Sequence, residues 1–189
     1  MIRVFQYKLY PNTSQAKTLE RWFDSCCWLY NRALEQRIKA YKRRGESVNY
    51  FKQQAMLTVW RSRMDWLRIV PSWFCRDSLR RVDRGMKAFF RRWKANETKV
   101  GFPRFRPRQR YNSMECCAPG NYLQGNRVRV PNLGLIRCRG RLLSFGEQKV
   151  LRIIKRVSGW YAQIVLDNGK PTSEKRQVNR SVGIDMGLT

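Results

Sequence analysis

The sequence predicts an α+β fold from two observations, the period of its apolar residues and its composition. Apolar residues alternate with a period of two at the start of the chain, recur every three or four residues up to residue 96, and then return to short alternating runs. The 189 residues are 42% hydrophobic, which is enough to bury a sizeable core. We therefore predict one strand, then helices, and then short strands that form a small β-barrel.

The first strand and helix carry clear local signals. Residues 2–10 alternate as a strand does, and Pro11 ends the run. Asn12 is expected to cap a helix, with Gln15 in the reciprocal position of a capping box. This helix is expected to run to about Arg44 and to end at Gly45, which tolerates a left-handed conformation.

Two more helices are predicted, the first over about Tyr50 to Met64 and the second with Pro71 in its first turn. The buried face of the second is expected to hold Cys75, Leu79, Val82, Met86, Phe89 or Phe90, and Trp93. Its opposite face carries a cationic stripe: Arg76, Arg80, Arg84, Lys87 and Arg91. Like charges at this spacing repel one another. A solvated face is the ordinary explanation, but no acid interrupts the stripe, so we predict contacts with phosphates.

The segment from residue 99 to 108 follows and cannot be helical, because two prolines remove donors and favour extended neighbours. It interleaves cations with two aromatic rings, a combination that binds a nucleic-acid backbone and stacks on bases. The alternative is a structural connector whose rings fill a core. The candidate binding residues are Lys99, Phe102, Arg104, Phe105 and Arg106.

Short strands separated by Pro and Gly turns fill the rest of the barrel, and the strongest hairpin signal joins 150–157 to 160–166 through Ser158 and Gly159. Residues 167–180 are expected to be a polar linker. Adjacent and isolated cysteines without a C-x2-C pair give no support for a zinc site, and we expect reduced thiols in the core.

The charge of the chain points to a polyanionic partner. Forty Lys and Arg against 13 Asp and Glu give a net charge of +27, which favours nucleic acid. The absence of histidine excludes Ser-His-Asp and Cys-His catalysis and His-ligated metals within this chain. No apolar run is long enough to span a membrane, so we expect a cytoplasmic protein.

The last residues contain the one candidate catalytic side chain. Asp185 lies in the apolar segment 181–189, where a carboxylate is costly unless it is paired or ligates a metal. RNase H-like nucleases place a first Mg²⁺-binding aspartate in this way, and two-metal hydrolysis needs further carboxylates. Alone, Gly-Ile-Asp-Met-Gly is a weak motif, and an ordinary aspartate at a strand end is the simpler interpretation.

Five motifs in order resemble the TnpB family of transposon-encoded, RNA-guided DNA endonucleases. They are Leu9-Tyr10-Pro11-Asn12 with Gln15, Tyr30-Asn31-Arg32-Ala33-Leu34, Gly101-Phe102-Pro103-Arg104-Phe105-Arg106, Val130-Pro131-Asn132-Leu133-Gly134 and Gly183-Ile184-Asp185-Met186-Gly187-Leu188. The resemblance covers residues 2–189. It implies a small WED-like β-barrel over 1–10 and 97–178, an inserted REC-like helical bundle over 11–96, and the start of a RuvC-like nuclease domain over 179–189. It also implies a prokaryotic protein that is held near the nucleoid by DNA binding.

The resemblance also implies partners and residue roles. The partners would be a guide (omega) RNA, the guide–target heteroduplex, and double-stranded target DNA carrying a transposon-adjacent motif. Tyr50 matches a family tyrosine at that motif, and Ser72 and Arg76 lie where other members read it. Asp185 matches the first RuvC carboxylate, a Mg²⁺ ligand. The other carboxylates and a zinc element of the family would lie beyond residue 189, so we expect a fragment that binds without cutting.

Three functions are compatible with the sequence. The first is an RNA-guided endonuclease, to which this chain contributes the scaffold, motif reading and one catalytic acid. The second is a nuclease-inactive relative that acts as an RNA-guided repressor, against which the presence of Asp185 argues weakly. The third is a generic basic RNA-binding protein, whose binding would be salt-sensitive and independent of sequence. The five ordered motifs favour the first.

Overall fold

The computed structural model describes residues 1–98, 100–140 and 146–169. Lys99 and the predicted segment 179–189 with Asp185 lie outside the described residues, as does most of the predicted linker. The predicted α+β class is confirmed. Four helices follow the first strand, and six more strands follow the helices.

The first two elements form as the sequence predicts. Strand β1 spans Ile2–Tyr10, and helix α1 spans Thr13–Arg44. The Asn12 side chain accepts a hydrogen bond from the backbone N–H of Gln15, and the Gln15 side chain accepts one from the backbone of Asn12, so the capping box is complete. Gly45 ends α1 with φ +64°, the left-handed conformation expected there.

The other helices are α2 (Tyr50–Arg63), the short α3 (Asp65–Arg68) and α4 (Ser72–Lys94). Helix α3 was not predicted, because a single turn carries too little periodicity to detect. Pro71 precedes α4 instead of lying in its first turn, and its carbonyl accepts the N–H of Phe74 at 3.0 Å. The buried part of α4 ends at Val82.

Seven antiparallel strands form one curled sheet, a half-barrel, in the order β2-β6-β7-β1-β5-β4-β3. The strands are β2 (Ser113–Cys116), β3 (Leu123–Gln124), β4 (Arg127–Val130), β5 (Gly134–Arg139), β6 (Glu147–Arg156) and β7 (Gly159–Asp167). Strands β6 and β7 are the predicted hairpin. Strand β1 lies between β5 and β7, so the helices are an insertion between strands of one sheet. Strands β2 and β3 are its edges, so the described part of the barrel is not closed.

The predicted burial is wrong for Trp93, the last residue named on that face of α4, which is 61% exposed. Leu79 and Val82 are fully buried, Met86 and Phe89 are half-buried, and Phe90 is 48% exposed. The apolar periodicity of α4 continues past Val82, its last buried residue, so the sequence pattern alone does not distinguish core from surface there.

The prediction that the cysteines lie in the core is confirmed for five of the six, and all six are free thiols. Burial raises the pKa of Cys75 to about 11, although the nearby Arg61 opposes the shift. Within the part of the chain that the structure describes, no helix is both long and apolar enough to cross a membrane.

A buried ionic contact joins the helices to the sheet. Asp77 on α4 is fully buried, and its Oδ2 accepts hydrogen bonds from Arg81 Nε at 2.8 Å and from the backbone N–H of Glu115 on β2 at 3.0 Å. Arg81 also donates to Ser113 Oγ at 3.1 Å. Burial raises the pKa of Asp77, and the charge of Arg81 opposes that shift. We name these residues the Asp77 junction.

We predict that Asp77→Ala destabilises the fold by about 3–5 kcal/mol, because it leaves the guanidinium of Arg81 without its buried partner. Asp65→Ala is the control, since Asp65 is 84% exposed and its pairing with Arg68 contributes little. The measurement is the free energy of unfolding from urea denaturation of both variants. Equal losses of stability in the two variants would contradict the role given to the Asp77 junction.

Candidate nucleic-acid interface

The loop from Gly101 to Arg106 is fixed to α1 through its backbone. Asn31 Nδ2 donates to the carbonyl oxygen of Arg106 at 2.9 Å, and the N–H of Arg106 donates to Asn31 Oδ1 at 2.8 Å. Tyr30 Oη donates to the carbonyl oxygen of Arg104 at 3.3 Å. Two motifs that are far apart in the sequence therefore meet.

The other side of this loop rests on α4. Phe102 packs edge-on against Phe89 with ring centroids 5.1 Å apart, and Arg92 donates to the carbonyl oxygen of Gly101 at 3.3 Å. Pro103 lies against Gly85, where an added Cβ would be 3.5 Å from Pro103 Cγ. The loop is thus held against α4, but Phe102 and Phe105 are 42% and 53% exposed and do not fill a core as the connector alternative expects.

A concave surface, which we name the arginine groove, runs between α4, this loop and the outer face of the sheet. It consists of two adjoining cavities that share Arg81 and Arg106. Among the described residues that line it, Glu115 is the one acidic side chain and all cations are arginines. The arginines are Arg81, Arg84, Arg92, Arg104, Arg106, Arg110, Arg152 and Arg156.

Neighbouring side chains orient the arginines on the sheet. Glu115, Arg152, Gln163 and Gln6 are register partners across four strands. Arg152 Nε donates to Glu115 Oε1 at 2.7 Å, and Arg152 Nη1 donates to Gln163 Oε1 at 3.0 Å. Arg156 donates to Gln6 Oε1 at 3.2 Å and lies over the ring of a tyrosine. Oriented guanidinium groups suit bidentate contacts with phosphate.

The structure brings five of the predicted site residues to this groove. Arg104 and Arg106 come from the loop, and Arg106 lies over the Tyr30 ring with 5.1 Å to its centroid. Arg84 comes from the stripe on α4. The other two are the rings of Phe102 and Phe105.

A second group of predicted residues lies around the starts of α2 and α4. Tyr50 begins α2, Ser72 begins α4, and Arg76 lies over Trp73 with 5.1 Å to the ring centroid. Burial lowers the pKa of Arg80, but interaction with Tyr50 above all outweighs it and raises the pKa above its usual value. Tyr50 and Arg80 are therefore neighbours, although 30 positions apart in the sequence.

The rest of the stripe is less uniform than its sequence suggests. Lys87 Nζ lies 2.9 Å from Asp83 Oδ2, and Asp83 Oδ1 accepts a hydrogen bond from Arg37 at 3.1 Å. Burial would raise the pKa of Asp83, but these two hydrogen bonds outweigh it and lower the pKa. Lys87 thus has an acidic partner from the neighbouring face of α4, whereas Arg91 is exposed. Their contacts with phosphate stay predictions.

The predicted site residues did not include five arginines of the groove: Arg81 and Arg92 on α4, and Arg110, Arg152 and Arg156. Arg152 and Arg156 alternate with the buried Leu151 and Ile153 along β6. This alternation indicates a polar face of the strand, but it does not indicate which part of the molecule lies opposite that face. Arg110 lies in the 3-10 turn Arg108–Arg110. Within the described ranges, no group of three or more His, Cys, Asp or Glu could hold a metal ion. Asp185 and Lys99 lie outside those ranges.

Comparisons with known proteins place the chain among transposon-associated sequences. Residues 1–46 match a family described as a helix-turn-helix domain, of the OrfB type of IS605 elements. In the structure this range holds β1 and the single continuous helix α1. InsQ of Escherichia coli (strain K12), provisionally named an RNA-guided DNA endonuclease, is 25% identical over 190 residues, 99% of this chain and 46% of the relative.

A second relative, from Streptomyces pristinaespiralis, carries the same provisional description. It is 32% identical over 110 residues, which cover 57% of this chain and 26% of the relative. The chain thus spans less than half the length of either relative.

We predict that Arg84→Ala combined with Arg156→Ala weakens RNA binding and lowers the slope of log K against log salt by about 1–2, because two phosphate contacts are lost. Arg127→Ala combined with Arg129→Ala is the matched control, since it removes the same charge from exposed positions on β4. Fluorescence anisotropy titrations at several salt concentrations measure both slopes. If the slope of log K against log salt falls as much in the β4 control variant as in the Arg84/Arg156 variant, net charge and not the groove determines binding.

Proposed function

We propose that this chain is a member of the TnpB family and the nucleic-acid-binding part of an RNA-guided DNA endonuclease of a transposon, which the family match and the two relatives support. The arginine groove carries the proposal, because eight guanidinium groups with one acid among them suit a polyanion. In this assignment the curled sheet is the WED-like barrel, the inserted helices are the REC-like region, and residues from 179 begin the RuvC-like domain.

The groove is proposed to hold the guide RNA and the heteroduplex that it forms with target DNA. Backbone contacts from arginines recognise the course and shape of a duplex and carry no sequence information. Sequence would be selected by base pairing between guide and target, while the protein reads a short flanking motif. This division explains why the groove offers oriented cations instead of a varied set of donors and acceptors.

The neighbouring residues Tyr50, Ser72, Arg76 and Arg80 are proposed to read the transposon-adjacent motif on duplex DNA. They lie at the starts of α2 and α4, and Tyr50 and Arg80 interact directly. An arginine can bind the O6 and N7 atoms of guanine through the major groove. The rest of the stripe, Lys87 and Arg91, together with Lys99, would add phosphate contacts.

Asp185 is proposed to be the first of several Mg²⁺ ligands in the RuvC-like domain. Mg²⁺ would supply an activated nucleophile and a clamp on the phosphate oxygens, for which one carboxylate is insufficient. The described residues contain no group that could complete such a site. This chain by itself is therefore expected to bind nucleic acid without hydrolysing it.

The deciding experiment is to express the chain together with its native flanking DNA and to sequence the RNA that copurifies with it. We expect one discrete RNA that maps to the end of the gene and runs into adjacent sequence, because a guide must carry both a scaffold and a target segment. A mixture of cellular RNAs in proportion to their abundance would instead identify a generic basic RNA-binding protein.

We predict that Asp185→Ala leaves the affinity of the chain for RNA unchanged within about twofold, since the groove and not the carboxylate binds phosphates. Incubation of both proteins with supercoiled plasmid and Mg²⁺ is the second measurement, and we expect no nicking from either. Nicking by the unsubstituted chain that disappears in Asp185→Ala would overturn the assignment of this chain as non-cleaving.

A further inference from the structure

A second concave surface, which we name the aromatic groove, lies between the last turns of α1 and α4. Four exposed rings line it: Tyr41 (69%), Phe90 (48%), Trp93 (61%) and Phe102 (42%). Its volume of about 570 Å³ lies within the roughly 300–1,000 Å³ of typical small-molecule sites. Exposed rings at this density are costly in water and mark a binding surface.

The aromatic groove is continuous with the arginine groove. Phe102 lines both surfaces, and its ring contacts Phe89, whose ring in turn contacts Phe90 with centroids 5.1 Å apart. A nucleic-acid strand that leaves the arginine groove past Phe102 therefore meets a row of rings. Because the two grooves are continuous, a nucleic-acid strand is the expected occupant of the aromatic groove, and the net positive charge of the chain also favours it.

The charges around the aromatic groove select a polyanion. Lys42 and Lys87 line it, and Arg91 and Lys94 are neighbours of its rings on α4. Its two acids are already paired, Glu46 with Lys52 at 3.0 Å and Asp83 with Arg37 and Lys87. A second copy of this chain would bring another +27 charge to the same face, so like-charge repulsion opposes a homodimer there.

We propose that the aromatic groove binds unpaired nucleotides of a single-stranded RNA segment by stacking their bases on Trp93, Phe90 and Tyr41. The proposal rests on the proposed function, because the arginine groove must deliver the strand. Every base has a π-face, so such stacking tolerates any sequence, while the flanking cations hold the backbone. The bases of a duplex are already stacked on one another, so a duplex gains no stacking free energy from these rings.

The test compares Trp93→Leu with the matched control Trp66→Leu. Trp66 is also exposed, at 43%, but packs on Trp28 and lines neither groove. The probes are fluorescein-labelled oligo(U) of about 20 nucleotides and a duplex RNA of the same length. We expect Trp93→Leu to weaken oligo(U) binding at least about fivefold, equivalent to about 1 kcal/mol, and to leave duplex binding unchanged.

Retention of a ring should retain binding, so Trp93→Phe is expected to stay within about twofold of the original affinity for oligo(U). Because Trp93 is exposed, thermal melting of the three variants should coincide, which separates loss of stacking from loss of the fold. Photocrosslinking with oligo(U) that contains 5-iodouridine is the direct readout, and we expect adducts on Trp93, Phe90 or Tyr41.

Several outcomes would overturn the proposal. Equal oligo(U) affinities of Trp93→Leu and Trp66→Leu would do so, as would adducts confined to other aromatic residues. A dimer of the unsubstituted chain that Trp93→Leu converts to a monomer in sedimentation would assign the groove to a second copy. A different result would contradict the proposed function and not only the role of the aromatic groove: the unsubstituted chain would bind neither oligo(U) nor duplex RNA.

Discussion

The buried carboxylate of Asp77 is the contact on which the geometry of the arginine groove depends. It receives a side-chain hydrogen bond from Arg81 within α4 and a backbone hydrogen bond from Glu115 on β2, so it fixes the helix to the edge of the sheet. Glu115 in turn orients Arg152. The two hydrogen bonds to its Oδ2 thus tie the helix that carries Arg81 and Arg84 to the sheet edge beside Arg152, and a charge in the interior is costly without such pairing.

Elements with local signals could be predicted from the sequence, and elements defined by distant contacts could not. The capping box of Asn12 and Gln15, the stop at Gly45 and the β6–β7 hairpin depend on residues a few positions apart. The single turn of α3 and the exposure of Trp93 depend on what packs nearby. Periodicity describes one face of a helix and says nothing about the length of its partner.

The candidate site shows the same division. The charge pattern identified Arg84, and the mixture of rings and cations identified the loop with Arg104 and Arg106. The sequence did not identify Arg152 or Arg156, because the alternation on β6 indicates an outward face but not which element lies next to that face. It also overlooked Asp83, which lies beside the stripe on the helix surface and pairs with Lys87. The WED, REC and RuvC assignments and the role of Asp185 stay predictions.

The central position of β1 has a consequence for how the chain reaches its native state. Ile2 pairs with Asp167, and Leu9 pairs with both Cys138 and Trp160, so β1 is held by strands that are synthesised long after it. On a ribosome, the helices can form early from local contacts, while β1 waits without partners until β5 and β7 have been synthesised. Contacts between such distant positions slow folding. A strand that lacks its partners in that interval can pair with strands of other chains, so folding of this sheet is sensitive to the order in which its strands are synthesised.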